Sequence, residues 1–356
     1  MMRYNMEEIA VYDKYVRWCR RTGPRGRSYS IRSSLFRNLL LVPCPPDKVP
    51  KNLGEPGDPR VLPRFHGGRN QAVTGLAAIA VCVAALAAAP TTGGQFDFAI
   101  LGDRTGEAQP GVYEQAWKEA TEKRPSFLVA CGDSIEGDDD ATAASQWHEV
   151  ERIWAAYRRY PLYLTPGNHD IWSAASERLY KKYAGHSPHY SFDYGQAHFT
   201  ILDNSRSEEL AAGELDYLEK DLKAHASAPV KLIFSHRPSW ILNAALQNPD
   251  FPLHRLARQY GVRYVIAGHV HQMLRFELQG VTYVSIPSSG GHLRLSQAYE
   301  DGWFFGYGHV NVSGKDADLE IEELKPPHGQ GRSTKATDWG MVGLINRNKA
   351  AAAPAK

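Results

Sequence analysis

The chain holds 356 residues, 43% of them hydrophobic, enough for one large or two modest domains with a real core. Its net charge of +2 hides a split: residues 1–70 carry 14 Lys and Arg against 6 Asp and Glu, and the rest carry 27 against 33. The body is thus mildly acidic and gives no signal for nucleic-acid binding, while four cysteines without a CxxC spacing exclude a disulfide framework and a thiolate zinc site there.

Residues 1–60 are rich in arginine and proline, as in Arg20-Arg21-Thr22-Gly23-Pro24-Arg25, and read as a disordered or non-native extension. Next come Arg64-Phe65-His66-Gly67-Gly68-Arg69, an uncharged alanine-rich run from Ala72 to Ala89, and Pro90-Thr91-Thr92-Gly93-Gly94. Basic flank, apolar stretch and small residues follow the order of an export signal, so residues 61–93 read as signal and linker. Such a signal belongs at an amino terminus. The expectation is therefore that translation begins near Val61 or Leu62 and that the mature protein is periplasmic or secreted. The competing reading is a membrane anchor, but the run is roughly 18 residues, at the short limit for a span, and alanine is a weak membrane residue. Membrane contact is expected only if residues 72–89 are retained.

From Phe96 the pattern becomes regular. A strand over Phe96–Leu101 runs into Gly102-Asp103, a helix is predicted over Val112–Lys123 with Val112, Ala116 and Ala120 on one face, and a strand over Phe127–Ala130 delivers Asp133. Cys131, beside it, reads as a small buried strand-end residue. A helix over Thr142–Tyr157 carries Trp147, Val150 and Trp154 as one buried stripe, and a strand over Leu162–Leu164 leads to Gly167-Asn168-His169-Asp170. Strand, helix, strand, helix, strand predicts a parallel arrangement. Two strands turning at Gly195 follow within Tyr190–Asp203, then a helix over Gly213–Ala226. Leu232–Phe234 runs into Ser235-His236, and Tyr264–Ile266 into Gly268-His269-Val270-His271. Hairpins are expected for Leu274–Leu278 with Val281–Ile286, and for Tyr307–Val312 with Leu319–Leu324. Beyond Lys325 the composition predicts a flexible tail over 326–356, leaving 94–325 as the compact domain.

Five times a strand is followed by a glycine or serine and then by an oxygen or imidazole ligand, the layout of a site at the carboxyl edge of a sheet. Gly-Asp, Gly-Asp, Gly-Asn-His-Asp, Ser-His and Gly-His-x-His, in that order, resemble the calcineurin-like metallophosphoesterase superfamily over about residues 96–324. The resemblance implies an α/β fold of four layers, α/β/β/α, with two mixed β-sheets flanked by helices. It implies a metal-dependent phosphoesterase, here an exported one, in which a hydroxide bridging two metal ions attacks a phosphomonoester or phosphodiester in a phosphorylated small molecule. The rival is a non-catalytic protein that senses one metal or a phosphate on the same fold.

For the ligands, the resemblance implies Asp133 as the bridging carboxylate, Asp103 and His271 on the first metal, and Asn168, His236 and His269 on the second. His169 would sit by the leaving oxygen, oriented by the carboxylate of Glu136, which would raise its pKa. Nitrogen and oxygen ligands without thiolate admit manganese, iron or zinc, divalent or trivalent. One departure stands out: Asp103-Arg104-Thr105 has Thr105 where most relatives carry a histidine ligand, and Glu136 stands where purple acid phosphatases carry a tyrosine. Arg104 is a candidate to clamp a phosphate bidentately, or else a strand-end arginine facing solvent. Arg237 and His292 are further candidates for substrate contact.

Overall fold

The computed structural model describes residues 94–341, 343 and 344, so the expectations for 1–60 and 61–93 lie outside the described residues. Strands are numbered along the chain. The first sheet sets β1 (Gln95–Leu101), β2 (Leu128–Ala130) and β3 (Leu162–Leu164) in parallel, with β10 (Gly306–Ser313), β11 (Asp316–Glu323) and β12 (Ser333–Lys335) added antiparallel beyond β1. The second runs in the order β4 (Tyr190–Tyr194), β5 (Ala197–Ile201), β6 (Val230–Phe234), β7 (Tyr264–Ala267), β9 (Val281–Ser285) and β8 (Leu274–Leu278). Within it β5, β6, β7 and β9 are parallel, and antiparallel β4 and β8 close the edges.

Alternation along each strand decides which layer it touches. In β1, Phe96, Phe98 and Ile100 join Phe199 of β5 and Leu232 and Phe234 of β6 in one buried cluster between the sheets. Phe98 stacks on Phe127 at 4.9 Å and meets Phe199 edge-on at 5.3 Å. Ala99 and Leu101 turn the other way, onto Ala116, Trp117 and Ala120 of α1 (Val112–Glu122). Trp147 and Val150 of α2 (Ala143–Ala155) pack with Tyr180 of α3 (Ala174–Ala184) against Ala130 and Leu164. On the far side, Ile233, Val265 and Tyr283 are covered by α4 (Ala212–Ala224), α5 (Ile241–Ala245) and α6 (Pro252–Gln259). The result is the α/β/β/α layering.

The flexible tail expected over 326–356 is corrected for residues 326–341, while 342 and 345–356 lie outside the described residues. β12 pairs with β11, Arg332 forms an ion pair with Glu323, and Trp339 is fully buried against Tyr299 and Phe304. Proline and glycine content suggested a tail, but the open edge of β11 and an aromatic pocket supply partners that composition does not reveal.

Candidate metal centre

Asp103, Asp133 and Asn168 leave the carboxyl ends of β1, β2 and β3 in the first sheet. His236 leaves β6 of the second sheet, and His269 and His271 leave β7. The facing sheets bring the six together. Asp133 Oδ2 lies 3.1 Å from His236 Nε2, which also has Asn168 Oδ1 at 3.1 Å and His269 Nδ1 at 3.2 Å. Asp103 Oδ2 lies 3.1 Å from His271 Nε2, forming the other half. The backbone N–H of His269 donates to Asp103 at 2.9 Å and joins the halves.

This convergence strains the backbone. Asp133, His269 and His271 have φ of 52°, 69° and 59°, the left-handed region that residues with a Cβ rarely adopt. Close approach also dictates two glycines. A Cβ on Gly167 would stand 2.2 Å from the backbone nitrogen and Oδ1 of Asp133, and one on Gly268 would stand 2.4 Å from Asp103 Oδ1.

Both aspartates are buried, and among the described residues no lysine or arginine forms an ion pair with either. Burial works against the Asp133 carboxylate, yet His236 and His169 outweigh it and hold its pKa well below the usual range. Burial likewise opposes a charged His236, but Asp133, with help from Asp103, lifts it to about 9. His269 goes the other way: burial, then the charges of His236 and Arg237, depress it well below an ordinary imidazole. A protonated His236 offsets at most one of these two buried carboxylates, and an ion left buried without compensation costs several kcal/mol. Two carboxylates, one carboxamide oxygen and three imidazoles therefore fit metal ions of borderline or hard character.

A sequence model described as calcineurin-like phosphoesterase matches residues 96–273, half of the chain. The chain belongs to that family. It is thereby a metal-dependent phosphoric ester hydrolase in class. A 3',5'-cyclic-nucleotide phosphodiesterase of a Nostoc species is 30% identical over 183 residues, 48% of this chain and 66% of that protein. The 3',5'-cyclic adenosine monophosphate phosphodiesterase CpdA of Escherichia coli K12 is 29% identical over 201 residues, 54% of this chain and 70% of that protein. A purple acid phosphatase from yellow lupin seeds shares the fold at TM-score 0.52 and 15% identity, covering 71% of this chain and 54% of that one.

Two expected contacts of this phosphoesterase are corrected. The ring Nδ1 of His169 bonds the backbone carbonyl of Glu136, not its carboxylate. The Glu136 carboxylate instead accepts from the backbone N–H of Ala108 at 2.7 Å and of Glu107 at 3.3 Å, pinning the loop after β1. Arg104 neither faces solvent nor stands ready for a phosphate. Its guanidinium donates to the Ser134 carbonyl at 3.2 Å and pairs with Glu149 of α2. Arg237 pairs with Glu208, and the carbonyl of His292 accepts from His271 Nδ1 at 2.7 Å.

Three supporting residues were given no role by the sequence reading. Asp170 is buried and accepts from the N–H of Ser134 at 2.8 Å and of Gly167 at 2.9 Å, tying the Asp133 loop to the Asn168 loop. Asn204 Oδ1 accepts from the N–H of His236 at 3.1 Å and of Arg237 at 3.0 Å. It follows β5 in Leu202-Asp203-Asn204, the same strand-then-polar signature used elsewhere. Arg294 Nη2 lies 3.2 Å from His271 Nε2, and no spacing in the sequence announces it.

Proposed function

We propose that this phosphoesterase cleaves a phosphodiester in a small phosphorylated molecule, with 3',5'-cyclic nucleotides as the substrate class. The observation that carries the chemistry is the meeting of Asp103, Asp133, Asn168, His236, His269 and His271 from two sheets. The substrate class rests on the two relatives named for such activity.

Asp103 and His271 would hold one ion, Asn168, His236 and His269 the other, with Asp133 between them. Cations bound there would neutralise phosphate oxygens and lower the pKa of bound water. Imidazole and carboxamide donors add no negative charge, so that neutralising power is kept. In this reading His169 would carry the proton transfer. The Glu136 carbonyl can only accept, so Nδ1 carries the hydrogen and Nε2 is left to hold the proton that a departing alkoxide needs. Burial opposes the charged ring, but Asp133 and the Glu136 carbonyl raise its pKa above the ordinary value.

The test is turnover of 3',5'-cyclic AMP and bis(4-nitrophenyl) phosphate by purified protein with manganese, iron or zinc. Cation-dependent release is expected, reduced about 100-fold or more in Asp133→Asn. Undiminished turnover in that variant, or preference for 4-nitrophenyl phosphate, would overturn the reading.

A second reading, a single-ion or phosphate sensor, draws on one contact: the Arg294 guanidinium already meets the His271 nitrogen that a first ion would need. One bound ion with no turnover under any metal would favour it.

The proposal includes export to the periplasm or medium, supported by the basic flank, alanine run and small residues of 61–93. Fractionation of native cells is expected to find the protein outside the cytoplasm. Soluble cytoplasmic protein would refute export and leave the chemistry untouched.

A further inference from the structure

A second group of ligand-competent side chains shares no residue with the metal centre. Asp193 on β4, His198 on β5 and His225 at the end of α4 bring one ligand atom each to within 4.8 Å of one another. His198 is buried, His225 is one third exposed and Asp193 opens to solvent.

Asp221 of α4 orients both rings. Its Oδ2 lies 2.9 Å from His198 Nε2, and its backbone carbonyl lies 2.9 Å from His225 Nδ1. These oxygens only accept, so each of those nitrogens carries a hydrogen, and the opposite nitrogens are the ones presented to Asp193. His198 Nδ1 is 2.7 Å from Asp193 Oδ1, and His225 Nε2 is 3.9 Å from Asp193 Oδ2. Two imidazole lone pairs facing one carboxylate repel unless a cation stands among them. An imidazole whose other N–H is held by a carboxylate or carbonyl is also the usual arrangement of a metal ligand. Asp221 cannot easily swing away, since Ser191 and Thr200 hydroxyls donate to it at 2.7 and 2.6 Å.

Two further features favour a cation here. His225 caps the carboxyl end of the 13-residue α4, where the backbone carbonyls present partial negative charge. Metal–nitrogen bonds of about 2.0–2.1 Å give a tetrahedral edge of about 3.4 Å, which the observed 2.7 and 3.9 Å bracket. The rings now stack 3.7 Å apart with planes 13° from parallel. An ion lying in both planes needs them to fan open, a movement available to the partly exposed His225.

We propose that Asp193, His198 and His225 form a separate zinc site that clasps the β4–β5 hairpin to the end of α4, with a fourth position open to water. The donor set of two imidazoles and one carboxylate selects zinc or cobalt over magnesium or calcium. The rival occupant is a proton, making His198 an imidazolium between two carboxylates.

The test uses the full chain in the Asp133→Asn background, so that the result does not depend on phosphoesterase turnover. Cobalt(II) is titrated as the probe while visible absorption is followed, and bound zinc per chain is counted after dialysis. His225→Gln, at a partly exposed position, and Asp193→Asn, at an exposed one, are compared with the parent. The parent is expected to hold one more zinc ion per chain than either variant. It should also show a zinc-induced rise in melting temperature that both variants lose. Neither substitution alone, in the otherwise native chain, is expected to change hydrolysis of bis(4-nitrophenyl) phosphate. Equal zinc counts and equal melting shifts in parent and variants would overturn the site and leave the proton as its occupant.

Discussion

Asp170 illustrates how much of the metal centre is held by residues that are not themselves candidate ligands. Burial, and next the neighbouring Asp133, push its pKa up to about 6, yet its two oxygens accept from the backbone N–H groups of two separate loops. Asp170→Asn swaps one acceptor for an NH2 group that must face a backbone N–H. The expected outcome is a loss of about 10–100-fold in metal affinity or turnover, with stability lower by about 1–3 kcal/mol for the unsatisfied buried donor. Metal titration and thermal melting of the variant check both, and wild-type values in the two would remove Asp170 from the account. The sequence marked Asp170 as part of Gly-Asn-His-Asp but not its partners, because backbone N–H groups 36 residues away leave no side-chain signature. The same limit explains Glu136 and Arg104. The resemblance paired the Glu136 carboxylate with His169, but it is the Glu136 carbonyl that makes the contact, a choice that depends on how the loop folds. A guanidinium next to Asp103 was legible, whereas its capture by Glu149 on α2 depends on how that helix packs.

At the level of elements, legibility followed periodicity. Strands with alternating residues and helices with tryptophan or leucine stripes were readable to within about three residues, as with α1 over Val112–Glu122 and β3 over Leu162–Leu164, whereas α3, α5 and α6 were not predicted. The segment after Lys325 was not, because β12 is three residues long and exists through its pairing with β11. One helix carries a pH prediction. His254 of α6 is buried, with Nδ1 2.9 Å from the Tyr283 hydroxyl of β9. Burial holds its pKa below the ordinary value, against the opposing influence of the Gln279 side chain and with the help of Arg258. The unfolded chain takes up this proton near pH about 6.5 while the folded chain resists. The associated stability is therefore complete above that pH and is lost as pH falls through the lower folded value. His254→Gln cannot take up this proton. Melting temperatures at about pH 8 and about pH 5 should differ less in the variant than in the parent, and an equal difference would show that His254 contributes nothing to acid lability.

Across the whole molecule, the two sheets divide the work. The first sends carboxylates and a carboxamide from the ends of β1, β2 and β3, and the second sends imidazoles from the ends of β6 and β7, so the site forms only when the sheets pack face to face. The aromatic seam of Phe98, Phe127 and Phe199 between them thus belongs to the chemistry as much as to stability. The central claim is that cations held by this convergent set carry out the hydrolysis. Its most direct test is to strip the purified protein with a chelator and titrate manganese, iron or zinc back while following cleavage of bis(4-nitrophenyl) phosphate. Turnover should vanish on stripping and return as the ion is restored in the parent protein, with no return in Asp133→Asn. Turnover that survives stripping, or that returns equally in Asp133→Asn, would contradict the account.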